Sequence, residues 1–170
     1  MSAPALPQRD PWSSSVTIHL NLDLSARIEP GADPITLEEV VAAEGRRAAR
    51  ELYREIVRML DEDMAIAEAA SRQRLEERWV STLMGRVRIA RYRMKEGDRT
   101  YHPLDSVLDL SRGETSPGLR AAIGSLSGSV SWRQLSKILR WVTGETVSPQ
   151  TCRRVCAALD SAPIEAPTSE

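Results

Sequence analysis

The sequence predicts a mostly helical α+β protein. An N-terminal strand and a long helix come first, then a basic β-hairpin, then a C-terminal trihelical unit of the helix-turn-helix kind. Three observations predict this. Val16, Ile18, Leu20, Leu22 and Leu24 alternate with Thr17, His19, Asn21 and Asp23, the period of a half-buried strand. Apolar residues recur at helical spacing through a long charged run that begins at Thr36. Beyond residue 115, three short segments each open on a serine cap signal.

Composition limits the classes. A chain of 170 residues that is 41% hydrophobic can bury a core of its own. No apolar run approaches the roughly 18 residues of a membrane span, so no membrane partner is expected. Two cysteines and no secretory leader pattern predict a reducing, cytoplasmic setting. The net charge of −1 hides an asymmetry. Residues 1–78 carry 10 basic and 15 acidic side chains, for −5, and residues 79–160 carry 13 and 7, for +6. The final ten residues add two acids. A cationic C-terminal half points towards nucleic acid or another acidic partner.

Each element then follows in order. Residues 1–14 are rich in Pro and Ser and are expected to be disordered. Residues 15–78 hold the strand and the long helical segment, with Thr36 and Glu39 in a capping-box pattern. Val41, Ala48, Leu52, Ile56, Met59 and Leu60 form its expected apolar face. The "LDEDM" stretch is where a break would fall, though no proline forces one. His19, on the polar strand face, is read as solvated.

Residues 79–115 are a hairpin and a linker, with a Glu96-Gly97-Asp98 turn and a turn or kink at Gly85. Arg86, Arg88, Arg91, Arg93, Lys95 and Arg99 stud the hairpin. The "DSVLDLSRGETSP" linker holds a short helical or turn element. In residues 116–160, Ser116-Pro117 opens the first helix and Ser131 with Gln134 boxes the second, which Gly144 ends. Ser148 and Pro149 open the third. The tail, 161–170, is expected to be disordered.

On the third helix, Cys152, Val155, Cys156 and Leu159 share an apolar stripe, which turns Gln150, Arg154 and Ala157 outward with Arg153 on the flank. Gln150, Thr151, Arg153 and Arg154 are therefore the candidate base-reading residues of a recognition helix. Arg133, Lys137 and Arg140 form a cationic row on the second helix, suited to phosphate. Arg86, Arg88, Arg91, Arg93 and Lys95 make the hairpin a second candidate nucleic-acid surface, since a two-stranded ribbon enters a groove. The plainer alternatives are solubilising charges on small helices and charges that guard a sheet edge.

The cysteines read as core, because a metal site needs two more ligands and both histidines lie in unrelated elements. No metal, cofactor or catalytic residue is expected. No nucleophile–His order and no Gly-rich phosphate loop occurs, and Asp105 and Asp109 read as a solvated pair in a linker.

The ordered series Thr82, Leu83, Gly85; Pro103, Leu104, Asp105; Ser116, Pro117, Leu119; Ser131; Thr143, Gly144, Val147, Ser148, Thr151 and Arg154 covers residues 79–159. It resembles the N-terminal half of bacterial insertion-sequence transposases of the ISKra type, and more distantly of the ISLre type. Members of that group often carry a Cys-x-x-Cys knuckle between the hairpin strands, where this chain has "MKEGDR". Their acidic-triad nuclease domain has no counterpart here. The resemblance implies a sequence-specific, transposase-derived module for double-stranded DNA, not itself an enzyme, with a separately encoded nuclease domain as partner. Two alternatives stay open: a stand-alone transcriptional regulator, and a protein-interaction module forming a homodimer through helix 37–78.

Overall fold

The computed structural model describes residues 27, 30, 31, 33–67, 71–110 and 113–160. The expected strand at 16–24 and both terminal segments lie outside these residues. Among the described residues the chain is α+β and mostly helical. Its elements run α1 (Pro34–Ala67), β1 (Ser71–Thr82), β2 (Gly85–Glu96), β3 (Arg99–Tyr101), α2 (Pro103–Val107), α3 (Pro117–Ser127), α4 (Trp132–Thr143) and α5 (Pro149–Asp160). No helix among them is long and apolar enough to cross a membrane.

Asp33, not Thr36, caps α1. Its carboxylate accepts from the Thr36 N–H at 2.9 Å and from the Thr36 hydroxyl at 3.2 Å, and Pro34 takes the first helical position. Those bonds, the backbone one foremost, hold the Asp33 carboxyl below its ordinary range. The helix runs through "LDEDM" without a break.

The buried face of α1 overlaps the expected one at Leu60 and otherwise departs from it. Tyr53, Val57 and Leu60 pack into the core, while Val41 is 60% exposed and Leu52 39%. The inward face mixes arginine and aspartate with its apolar residues, so apolar periodicity favours the side of Val41 and Leu52 instead. Buried Asp61 accepts the Tyr92 N–H at 2.8 Å. β3 pairs only with Met94, Lys95 and Glu96, so it stops short of Tyr92 and the carboxylate serves in its place.

The helix expected through residue 78 ends by Ala67, and residues 71–82 form β1. The run "SRQRLEER" is built of good helix formers. Pairing with β2 overrides that preference: eleven cross-strand pairs run from Ser71↔Lys95 to Thr82↔Gly85, with an irregularity between Arg72 and Arg74. The main hairpin therefore turns at Leu83-Met84, and the expected Gly97-Asp98 turn leads only into the short β3. The sheet is an antiparallel meander in the order β1-β2-β3.

Two cores result. Val80, Val87 and Ile89 of the hairpin meet Val57 of α1 and Leu104 and Leu110 around α2. Leu119, Ile123, Leu135, Leu139, Val147, Cys152 and Val155 fill the trihelical unit. Backbone joins them. Ser81 donates its N–H to the Glu114 carbonyl at 2.6 Å, and its own carbonyl accepts the Ser116 N–H at 2.9 Å. Ser116 then caps α3.

Candidate nucleic-acid interface

The helix-turn-helix unit is fixed locally by its caps. Ser131 accepts the Gln134 N–H, and the Gln134 side chain accepts the Ser131 N–H at 3.0 Å, completing the capping box of α4. Gly144 ends α4 in the left-handed region at φ +75°, donating its N–H to the Arg140 carbonyl at 2.9 Å. In the turn, the Thr143 hydroxyl donates to the Leu139 carbonyl at 2.8 Å and accepts the Glu145 N–H at 3.1 Å. The Ser136 hydroxyl donates to the Val147 carbonyl at 2.6 Å, tying α4 to the entry of α5. Ser148 caps α5 by accepting the Thr151 N–H at 3.1 Å.

With the turn held, α4 and α5 pack through Leu135, Leu139, Cys152 and Val155. Arg133, Lys137 and Arg140 are exposed on α4, and Gln150, Arg153 and Arg154 on α5, as the spacing predicts. Among the described residues, none of these five cations has an ion-pair partner within 4.0 Å. Thr151 is half-buried, and its hydroxyl lies 2.9 Å from the Ser148 hydroxyl, inside the cap. Thr151 and Arg154 stand on one wall of a groove between α5 and α3, with Pro117 and Ala121 opposite.

Cys152 is buried and Cys156 half-buried, both as free thiols, and burial, followed by the neighbouring Cys156, pushes the Cys152 thiol up. Among the described residues, no three His, Cys, Asp or Glu side chains gather as a metal site.

The hairpin cations have a different setting. Arg91 is turned inward onto Asp105, which also binds Arg78 at 2.9 Å, and all three side chains are less than one-fifth exposed. Arg78 donates further to the carbonyls of Leu110 and Gly113. Asp105, read from the sequence as solvated, is thus the counter-ion of two arginines and pins α2 to the sheet. Arg88 pairs with Glu77, and Arg93 with Glu76 at 3.3 Å. Glu76 also lies 3.1 Å from His102 Nε2, and those two bonds, that of His102 first, hold its carboxyl below the usual range. Arg86 stacks over Trp79 at 5.0 Å. Lys95 is exposed at the far end of β2. Asp109, in the left-handed region at φ +48°, pairs with Arg120.

Sequence reading missed this charge network because its partners lie 11 to 27 residues apart.

A Streptococcus gallolyticus protein described as "UPF0236 protein in vanSb 3'region" is 37% identical to this chain over 103 residues. The match takes in 57% of this chain and 22% of that protein, so the chain spans less than a quarter of its relative's length. No family model matches the chain, and no solved structure matches it.

Proposed function

We propose that this chain binds duplex DNA through its helix-turn-helix unit, with α5 in the major groove and α4 against the backbone. The observation that carries the reading is the contrast in charge pairing. Arg133, Lys137, Arg140, Arg153 and Arg154 are exposed without ion-pair partners among the described residues, while Arg88, Arg91 and Arg93 of the hairpin are neutralised within the fold. Free cations on two packed helices release condensed counter-ions from phosphate, whereas paired ones must first break their own bonds.

Gln150 and Arg154 are the residues assigned to base edges, since amide and guanidinium groups match adenine and guanine in the major groove. Arg153 flanks them. Arg133, Lys137 and Arg140 hold phosphate and set the register. Lys95 and Arg86 are left as the hairpin's contribution. The resemblance to ISKra-type transposases makes this a recognition module derived from such a protein, acting on double-stranded DNA with cleavage left to a separate nuclease domain. The much greater length of the UPF0236 relative supports a module that also works inside a larger chain.

The test is selection from a pool of random duplexes with the full chain, followed by sequencing of the bound fraction. Enrichment of one sequence is expected, and it should vanish for Arg154→Ala with the fold intact. A folded chain that retains no duplex at low salt would overturn the reading.

A further inference from the structure

α4 holds one large apolar side chain clear of the fold. Trp141 is 83% exposed, more than any other large apolar residue among those described, and it stands one turn from Lys137 and next to Arg140. We propose that Trp141, with Lys137 and Arg140, is a stacking site for an unpaired base of a DNA strand. The site shares the α4 cations of the proposed duplex interface but does not need α5 in a groove.

The described tryptophans have three different settings. Trp132 packs against the trihelical core. Trp79 lies under the Arg86 guanidinium, 5.0 Å from its ring centroid. Trp141 has neither cover, and among the described residues no cation stacks on its ring. At about 100° per residue it points away from the buried Leu135, Leu139 and Thr143, with Lys137 about 40° to one side. The exposed Ile138 and Val142 lie on its other flank. The indole thus stands between a cationic flank and an apolar one. So placed, it adds nothing to the stability of the fold, because an indole stabilises by burial.

Charge selects a nucleic-acid strand as the occupant. α4 carries Arg133, Lys137 and Arg140 and no carboxylate along its length. None of the three has an ion-pair partner among the described residues. Just beyond the helix, Glu145 lies against Gly85 in the hairpin turn. An open indole on a purely cationic helix suits a ligand that is anionic along its chain and flat in its side groups. Phosphates answer Lys137 and Arg140, and a base covers the ring. The ring also decides the pairing state. A paired base has both faces covered within the stack, whereas an unpaired base turns a free face to an aromatic side chain. An apolar protein partner would bury the indole but leave the cations on its flank unanswered.

The experiment is fluorescence anisotropy of the full chain with a labelled oligothymidylate of about ten nucleotides, which forms no duplex of its own, against a blunt duplex of random sequence. Trp141→Ala should weaken oligothymidylate binding about tenfold and leave the blunt duplex unchanged. Trp141→Phe keeps a ring and should retain most of the affinity. Lys137→Ala with Arg140→Ala should weaken both ligands, and flatten the salt dependence for the single strand by about 0.7 per lost phosphate contact. Trp141 stands clear of the core, so the thermal melt of its variants should stay unchanged. Oligothymidylate held as tightly by Trp141→Ala as by the unaltered chain, or not held at all by the folded protein, would overturn the inference and leave duplex binding standing. An equal loss on both ligands would assign Trp141 to the duplex and overturn it as well.

Discussion

Gly85 lies directly against the backbone of Thr143: a Cβ on the glycine would sit 2.9 Å from the Thr143 carbonyl oxygen. Gly85 closes the β1–β2 turn at φ +103°, and Thr143 ends α4 at the helix-turn-helix turn. α1 closes the same junction, since Arg50 donates to the Met84 carbonyl at 3.1 Å and the Arg46 guanidinium lies against Gly144. Leu83, from the same hairpin turn, packs against Gly118 at the start of α3. Residues 82–85 and 143–144, which carry the transposase resemblance as separate motifs, thus build one joint that sets the trihelical unit on the hairpin.

Gly85→Ala should therefore cost about 2–3 kcal/mol, because it combines a left-handed backbone with a clash against fixed main chain. Gly97→Ala keeps the first penalty and lacks the second, since a Cβ at Gly97 meets nothing within 4 Å. Urea unfolding monitored by circular dichroism should show the larger midpoint shift for Gly85. Equal shifts would mean that the joint is not tight.

Asp105→Asn should cost about 2–4 kcal/mol, because it leaves Arg78 and Arg91 without their shared anion in a site largely shielded from water. The loss should persist at high salt, unlike that of an exposed pair such as Arg88 with Glu77. Thermal melts of Asp105→Asn and Glu77→Gln at low and high ionic strength make the comparison. A small, salt-screened effect for Asp105 would return it to the solvated role that the sequence suggests.

The thiols separate by burial. Cys156 should react first with iodoacetamide near neutral pH, with Cys152 protected until the unit unfolds, as mass spectrometry of the labelled peptides would show. A folded-state thiol pKa above the unfolded one means that the neutral form stabilises the fold. That stability is fully present at neutral pH and falls as pH rises past the ordinary cysteine value. Cys152→Ser should cost about 1–2 kcal/mol by placing a hydroxyl in an apolar core. Cys152 modified ahead of Cys156 in the native chain would contradict this placement.

If α5 reads bases, Gln150→Ala and Arg154→Ala should each cost about 1–3 kcal/mol on a selected site and relax preference at one base position. Ala157→Leu should hinder groove entry while leaving the exposed helix folded. Competition binding against single-base variants of the site reports both. Uniform weakening across all variants would assign Arg154 to phosphate instead.

What was legible in the sequence was local. Ser116, Ser131, Gly144 and Ser148 announce helix ends because each satisfies backbone groups within four residues of itself. The outward turn of Arg133, Lys137, Arg140, Arg153 and Arg154 follows from the helical period of the residues beneath them. What was not legible depended on partners far along the chain. Nothing local in "SRQRLEER" favours a strand; its eight residues extend along β2, which offers Arg88 to Glu77 and Arg93 to Glu76. Arg91 looks like its neighbours in the sequence, and only the approach of Asp105 turns it inward. The apolar period of α1 was legible, but of the face it marks only Leu60 joins Tyr53 and Val57 in the core.

The most direct measurement is the salt dependence of duplex binding, by fluorescence anisotropy, for three versions of the full chain. One is unaltered, one carries Arg133→Ala, Lys137→Ala and Arg140→Ala, and one carries Arg88→Ala, Arg91→Lys and Arg93→Ala. Each lost phosphate contact lowers the log–log slope by about one. A slope reduced by about three in the α4 variant, with the hairpin variant close to the unaltered chain, is the result expected from the free and paired charges. A slope unchanged by the α4 substitutions and collapsed by the hairpin ones would contradict the account and move the interface to the ribbon.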